Sequence, residues 1–230
     1  MRKAFLISMT VWSVIMMYAQ NEVIFNDFIA SFPEWEEGAM DNKSIFFQGE
    51  NLWGESLMNE DHVKMYIPHQ LIDIYGCAKG KVAFNYGYKI TKDNCYVCFM
   101  IRHCDTPNKE FYPYIDDIIV TYRKDGQIID FAETARFGDL WLYEVRELDG
   151  YESFVVAQAN YDFNEVWEGS YTSLDKKVGT VQIWKYKVSK KGVIKSKLIE
   201  TFNATASWNG DDYDIDGLNK HKYFDKQWKK

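Results

Sequence analysis

IIVTYRKDGQIID, residues 118–130, sets two runs of β-branched and aromatic residues around the short polar segment Lys124-Asp-Gly126. Such residues fit a pleated, half-buried surface better than a helix. Gly126 supplies the positive φ that a tight hairpin needs. The stretch predicts two antiparallel strands, Asp117–Arg123 and Gln127–Glu133.

The same grammar recurs outward along the chain. Lys81–Ile90 and Cys95–Cys104 flank the polar turn Thr91-Lys-Asp-Asn, and Val178–Val188 and Val193–Phe202 flank Ser189-Lys-Lys-Gly. Leu140–Val145 and Ser153–Asn160 form a further pair around Leu148-Asp-Gly. Tyr122 to Ile128 and Tyr186 to Ile194 both run aromatic, polar turn, glycine, β-branched residue; Tyr213-Asp-Ile-Asp-Gly217-Leu is a shortened form. These are successive hairpins rather than a true internal repeat. One short helix is expected near residues 59–67, where Asn59 caps, Glu60 and Asp61 suit the positive end of the dipole, and Pro68 stops it. Glu22–Glu37 has no clean period and is expected to be irregular, with at most one short strand or turn of helix. The fold class is mainly β, with antiparallel hairpins forming a sandwich or an open barrel.

The first nineteen residues form an expected signal peptide. Arg2 and Lys3 precede an apolar run from Ala4 to Met17, and Ala19 before Gln20 offers a cleavage point. The run falls short of the ~20 residues that span a bilayer, so no transmembrane segment is expected in the mature chain. Residues 20–230 are expected to form one domain, exported to the periplasm, the cell surface or the medium. Losing Arg2 and Lys3 leaves 25 basic against 34 acidic residues, a net charge of −9. So acidic a protein repels phosphate backbones, which argues against nucleic acid as partner.

The order Glu60-Asp-His-Val-Lys-Met-Tyr-Ile-Pro68, Tyr86-Gly-Tyr-Lys-Ile90, a strand ending near Arg102, the stretch 118–130 and Gly138-Asp139 resembles a group of uncharacterised secreted proteins from Bacteroidota. The likeness covers roughly residues 58–200. It implies export and a β-rich domain, and it lends no catalytic residue.

DDYDIDG, residues 211–217, has the opening of an EF-hand-type calcium loop. Counting from Asp212, however, Tyr223 stands where the closing bidentate carboxylate belongs and Lys220 stands at position 9. The better reading is a strand with Tyr213 and Ile215 inward, the aspartates in water and a turn at Gly217. No metal and no cofactor is expected. Cys95 and Cys98 point to opposite faces of a strand, so they neither chelate nor cross-link. If Ile90 pairs with Cys95, Cys104 lies opposite Lys81, near Cys77. An oxidising compartment would then permit a Cys77–Cys104 disulfide, against buried free thiols as the plainer reading.

The four histidines lack any nucleophile context, and no catalytic residue is assigned. Asp116, Asp117 and Glu133 are the one carboxylate set that a carbohydrate-active enzyme would use, the alternative reading. Aromatics make up 17% of the chain, and seven tryptophans follow Ala19. Most such rings fill a core, yet Trp208 stands beside Asn209 and Asp212, a ring next to groups that bind hydroxyls. The leading expectation is a non-enzymatic exported binding or interaction domain, for polysaccharide or an envelope protein.

Overall fold

A computed structural model describes residues 23–35, 57–72, 82–104, 114–137, 144–149, 153–160, 178–208 and 213–218. Residues 1–19, the expected signal peptide, lie outside this set, as do Cys77, Asn209 and Asp212. The chain is mainly antiparallel β. Among the described residues three helices, α1 (23–30), α2 (Glu60–Tyr66) and α3 (His69–Ile72), precede nine strands. The strands are β1 (Val82–Thr91), β2 (Cys95–Cys104), β3 (Tyr114–Arg123), β4 (Ile128–Phe137), β5 (Glu144–Asp149), β6 (Ser153–Asn160), β7 (Val178–Val188), β8 (Ile194–Trp208) and β9 (Tyr213–Ile215). They form two sheets, β1-β2-β3-β4 and β5-β6-β7-β8-β9, each in chain order. No helix among the described residues is long and apolar enough to cross a membrane.

Local turn chemistry explains the meander. At the β3–β4 turn Gly126 N donates to Arg123 O and Arg123 N to Gln127 O. At the β7–β8 turn Gly192 N donates to Ser189 O and Ser189 N to Val193 O. Both glycines have positive φ, +91° and +84°, so both loops are tight turns closed by a left-handed residue. β9 is a strand and Gly217 (φ +82°) follows it in a turn, as the DDYDIDG stretch suggested.

Two expected elements are displaced. β5 begins at Glu144 and runs through Leu148 and Asp149, with Asp149 opposite Ser153; those two residues belong to the strand and not to the turn. In the first hairpin Ile90 faces Val97 and Thr91 faces Tyr96, and an irregularity between Tyr86 and Lys89 resets the pairing. Cys104 therefore stands opposite Val82, one residue from the expected Lys81. A bulge adds an unpaired residue on one strand, and the local turn does not reveal where it falls.

The opening segment is more ordered than its sequence suggests. Residues 23–30 are helical, and Phe25, Phe28, Ile29 and Phe32 keep the 3-4-7 spacing of one helix face. β-branched and aromatic residues are indifferent helix formers, so this helix depends on burial. Lys89 Nζ reaches from β1 to the carbonyls of Ile29 (3.0 Å) and Phe32 (2.6 Å), satisfying acceptors at the end of α1. α2 is capped as expected: the Asn59 side chain accepts from His62 N at 2.8 Å.

The helices cover one face of the first sheet. Phe25, Phe28, Phe32, Tyr66, Leu71, Phe84, Cys98, Met100, Ile118, Val120 and Tyr122 are buried together there. Phe28 is the hub, with ring centroids 4.7 Å from Tyr66 and 5.3 Å from Tyr122. Burying each such side chain contributes roughly 1.5–3 kcal/mol, so this face anchors the fold. The other face carries Ile90, Val97, Phe99 and Ile119, which pack with Tyr186 and Val188 of β7. Trp35 and Trp184 pack against this second core, so both rings serve packing.

Candidate functional site

Strand alternation decides which side chains meet. In β2, Cys98 and Met100 face the helices while Val97 and Phe99 face the second sheet. Cys95 and Cys98 thus lie on opposite faces, and both are free and buried. Burial pushes the Cys98 thiol far above its ordinary range, which makes it an inert packing group.

Two members of the expected carboxylate set, Asp117 and Glu133, lie on opposite faces of the first sheet. Asp117 shares its β3 face with Ile119 and Thr121, toward the second sheet. Glu133 lies across the sheet, on the helix-covered face, where Arg102 Nη2 approaches it at 3.3 Å. Arg102 is 1% exposed and also donates to Leu71 O at 3.2 Å. Glu133 neutralises a buried cation and is held by it. Asp116 stands opposite Arg102 in the β2–β3 register.

Trp208 ends β8, paired with Tyr213, which places it at the sheet's last bridge. Its proposed neighbours Asn209 and Asp212 lie outside the described residues, as does Cys77. Cys104 ends β2 between Val82 and Tyr114.

A cleft of about 370 Å³ opens between the α2–α3 corner and the start of β4. Lys64, Met65, Ile67, Pro68, His69 and Gln70 line one wall, and Ile128 to Phe131 line the other. Pro68 breaks the helix there, and the corner projects Lys64, His69 and Gln70 around an apolar floor. Met65 is 44% exposed at the rim. Asp130 is the one carboxylate among the described lining residues, and its role is structural. Its Oδ1 accepts from Phe131 N and its Oδ2 from Ile194 N, each at 2.9 Å. Two backbone donors hold the carboxylate away from acid–base work. Nothing in the sequence singled out this cleft, because its walls lie about sixty residues apart and neither carries a motif.

Beside the cleft's helical wall sits a polar knot. His62 is 8% exposed, and its Nδ1 lies within hydrogen-bond distance of Tyr86 Oη and of Asn59 Nδ2 (3.1 Å). The Asn59 oxygen already accepts from His62 N, so its amide nitrogen donates to the ring. Nδ1 is therefore an acceptor, and the imidazole is neutral with its proton on Nε2. Burial lowers the pKa of His62, and Asp27 and Asp61 oppose that shift in part.

Comparison with protein-family models, with curated proteins and with solved structures gives no match.

Proposed function

We propose that this protein is an exported, non-enzymatic binding domain that takes a polysaccharide or an envelope protein. The observation that carries the reading is the cleft at the α2–α3 corner. It offers apolar surface from Ile128 and Phe131 beside separate donors and acceptors on Lys64, His69 and Gln70. Such a mixture of apolar floor and sparse polar groups suits a ligand that is bound and oriented. Its carboxylate, Asp130, is engaged by two backbone N–H groups, which supports binding over catalysis. Export is supported by the basic start, the apolar run and Ala19 in the first nineteen residues.

Retention on insoluble neutral polysaccharides and on isolated envelope fractions tests the binding reading, comparing wild type with His69→Ala/Gln70→Ala and with Trp208→Ala. Loss with the first variant assigns the cleft, and loss with the second assigns the end of β8. Release of reducing sugar that disappears in Glu133→Gln would overturn the non-enzymatic reading. N-terminal sequencing of exported material tests export: Gln20 or a near neighbour is expected, and intact Met1 in the cytosol would refute it.

A further inference from the structure

Residues 185–197, KYKVSKKGVIKSK, carry six lysines and no acid in a chain whose net charge is −7. With these six set aside, the remainder carries −13. The fold concentrates the six on one hairpin. In the β7–β8 register Lys185 stands opposite Lys197 and Lys187 opposite Lys195, with Lys190 and Lys191 in the turn. Tyr186 and Val188 point into the core shared with the first sheet, so alternation turns the four paired lysines to the outer face. Five of the six are exposed and Lys185 is half-buried.

Like charges directly opposite each other destabilise a strand pair. Here two such pairs stand in succession, and no ion pair among the described residues neutralises them. The hairpin tolerates the repulsion because other contacts pin it. Thr121 Oγ1 donates to Gly192 O at 2.7 Å, and Asp130 receives Ile194 N at 2.9 Å. The ammonium groups thus spring from a rigid grid, about 5 Å across the strands and ~7 Å along them.

We propose that this lysine ladder is a docking strip for an acidic polysaccharide, a single glycan chain bearing carboxylate or sulfate groups. The choice of a glycan rests on the binding reading above; the charge pattern itself selects a thin anionic chain. A bilayer or a duplex presents a broad negative surface that would also meet the acidic remainder of the protein. One flexible chain, no wider than the hairpin, meets only the ladder. The segment also contains no arginine, the side chain whose fork matches phosphate, and lysines act as point charges toward any anion.

The test is retention of the full chain on polygalacturonate, on dextran sulfate and on neutral dextran, at low and at raised salt. Retention on the carboxylated or the sulfated polymer is expected, with none on neutral dextran and release as salt screens the contacts. Replacing one facing pair, Lys187→Gln/Lys195→Gln, should weaken binding about five- to ten-fold, with the Lys185→Gln/Lys197→Gln variant as a second reading. These are surface changes, and an unchanged circular dichroism spectrum shows that the fold persists. Equal retention of both variants, or no retention on either acidic polymer, overturns the proposal. So does equal or tighter binding to duplex DNA, to poly-glutamate or to phosphatidylserine vesicles. The His69→Ala/Gln70→Ala variant should keep its acidic-polymer retention. If that variant loses neutral-polysaccharide binding while the ladder variants change nothing, the ladder falls and the cleft reading stands.

Discussion

Asp130 on β4 receives the backbone N–H of Ile194, at the start of β8, at 2.9 Å, so one carboxylate ties the first sheet to the second. Its other oxygen holds Phe131 N. Asp130→Ala strands two donors and should destabilise the protein by roughly 2–4 kcal/mol. Asp130→Asn keeps one acceptor oxygen and should lose about half of that. Urea denaturation of the three proteins checks the order; an unchanged midpoint in Asp130→Ala would show that the clamp contributes nothing.

Arg102 is a buried cation that meets Glu133 and the Leu71 carbonyl among the described residues. Arg102→Ala leaves a cavity and takes a cation away from Glu133, and should cost about 3–5 kcal/mol. Arg102→Met fills the space without the charge, and should recover much of the loss when combined with Glu133→Gln. A double-mutant cycle by chemical denaturation measures the coupling, and additive losses would show that the pair does not interact.

His62 is neutral in the fold and its pKa lies below the ordinary 6.5. The unfolded chain therefore binds the proton more readily. The stability held by the neutral ring is complete above pH 6.5 and falls as the pH drops from there toward the lowered folded value. The groups facing the ring are Tyr86, Asn59 and Phe28, with Asp27 and Asp61 the nearby charges. Thermal unfolding between pH 8 and pH 5 should show a falling Tm in wild type and a flatter profile in His62→Gln. Identical profiles would refute the neutral assignment.

Gly192 and Gly217 both have positive φ, but only Gly192 is crowded: a Cβ there would lie 2.5 Å from Ile129 Cδ1. A Cβ at Gly217 would meet nothing within 4 Å among the described residues beyond its chain neighbours. Gly217→Ala should cost about 1 kcal/mol from backbone strain alone. Gly192→Ala should cost distinctly more, and Ile129→Val should relieve part of it. Equal losses at the two glycines would mean that the two hairpins do not pack as closely as their backbones indicate.

Hairpin chemistry is local, and so the sequence by itself determined the meander. A polar turn with a glycine at its left-handed position, between runs of β-branched residues, marks β3–β4 and β7–β8 wherever they occur. The Asn59 cap and the Pro68 stop made α2 equally legible. Helix α1 was not, because Phe25, Phe28 and Phe32 form a helix only when β1–β3 offer them a face to cover. Register also escaped: Thr91 pairs with Tyr96, two steps from an Ile90–Cys95 pairing, and the irregularity between Tyr86 and Lys89 takes back one step, leaving Cys104 opposite Val82. The fate of the charged groups belonged wholly to tertiary structure. Strand alternation set Asp117 and Glu133 on opposite faces, and the arrival of β8 beside β4 made Asp130 a clamp between the sheets. The lysines of residues 185–197 were visible as letters, but only the β7–β8 register set them face to face. Covalent neighbours determine a turn, whereas which residue stands across a sheet depends on bulges and on partners sixty residues away.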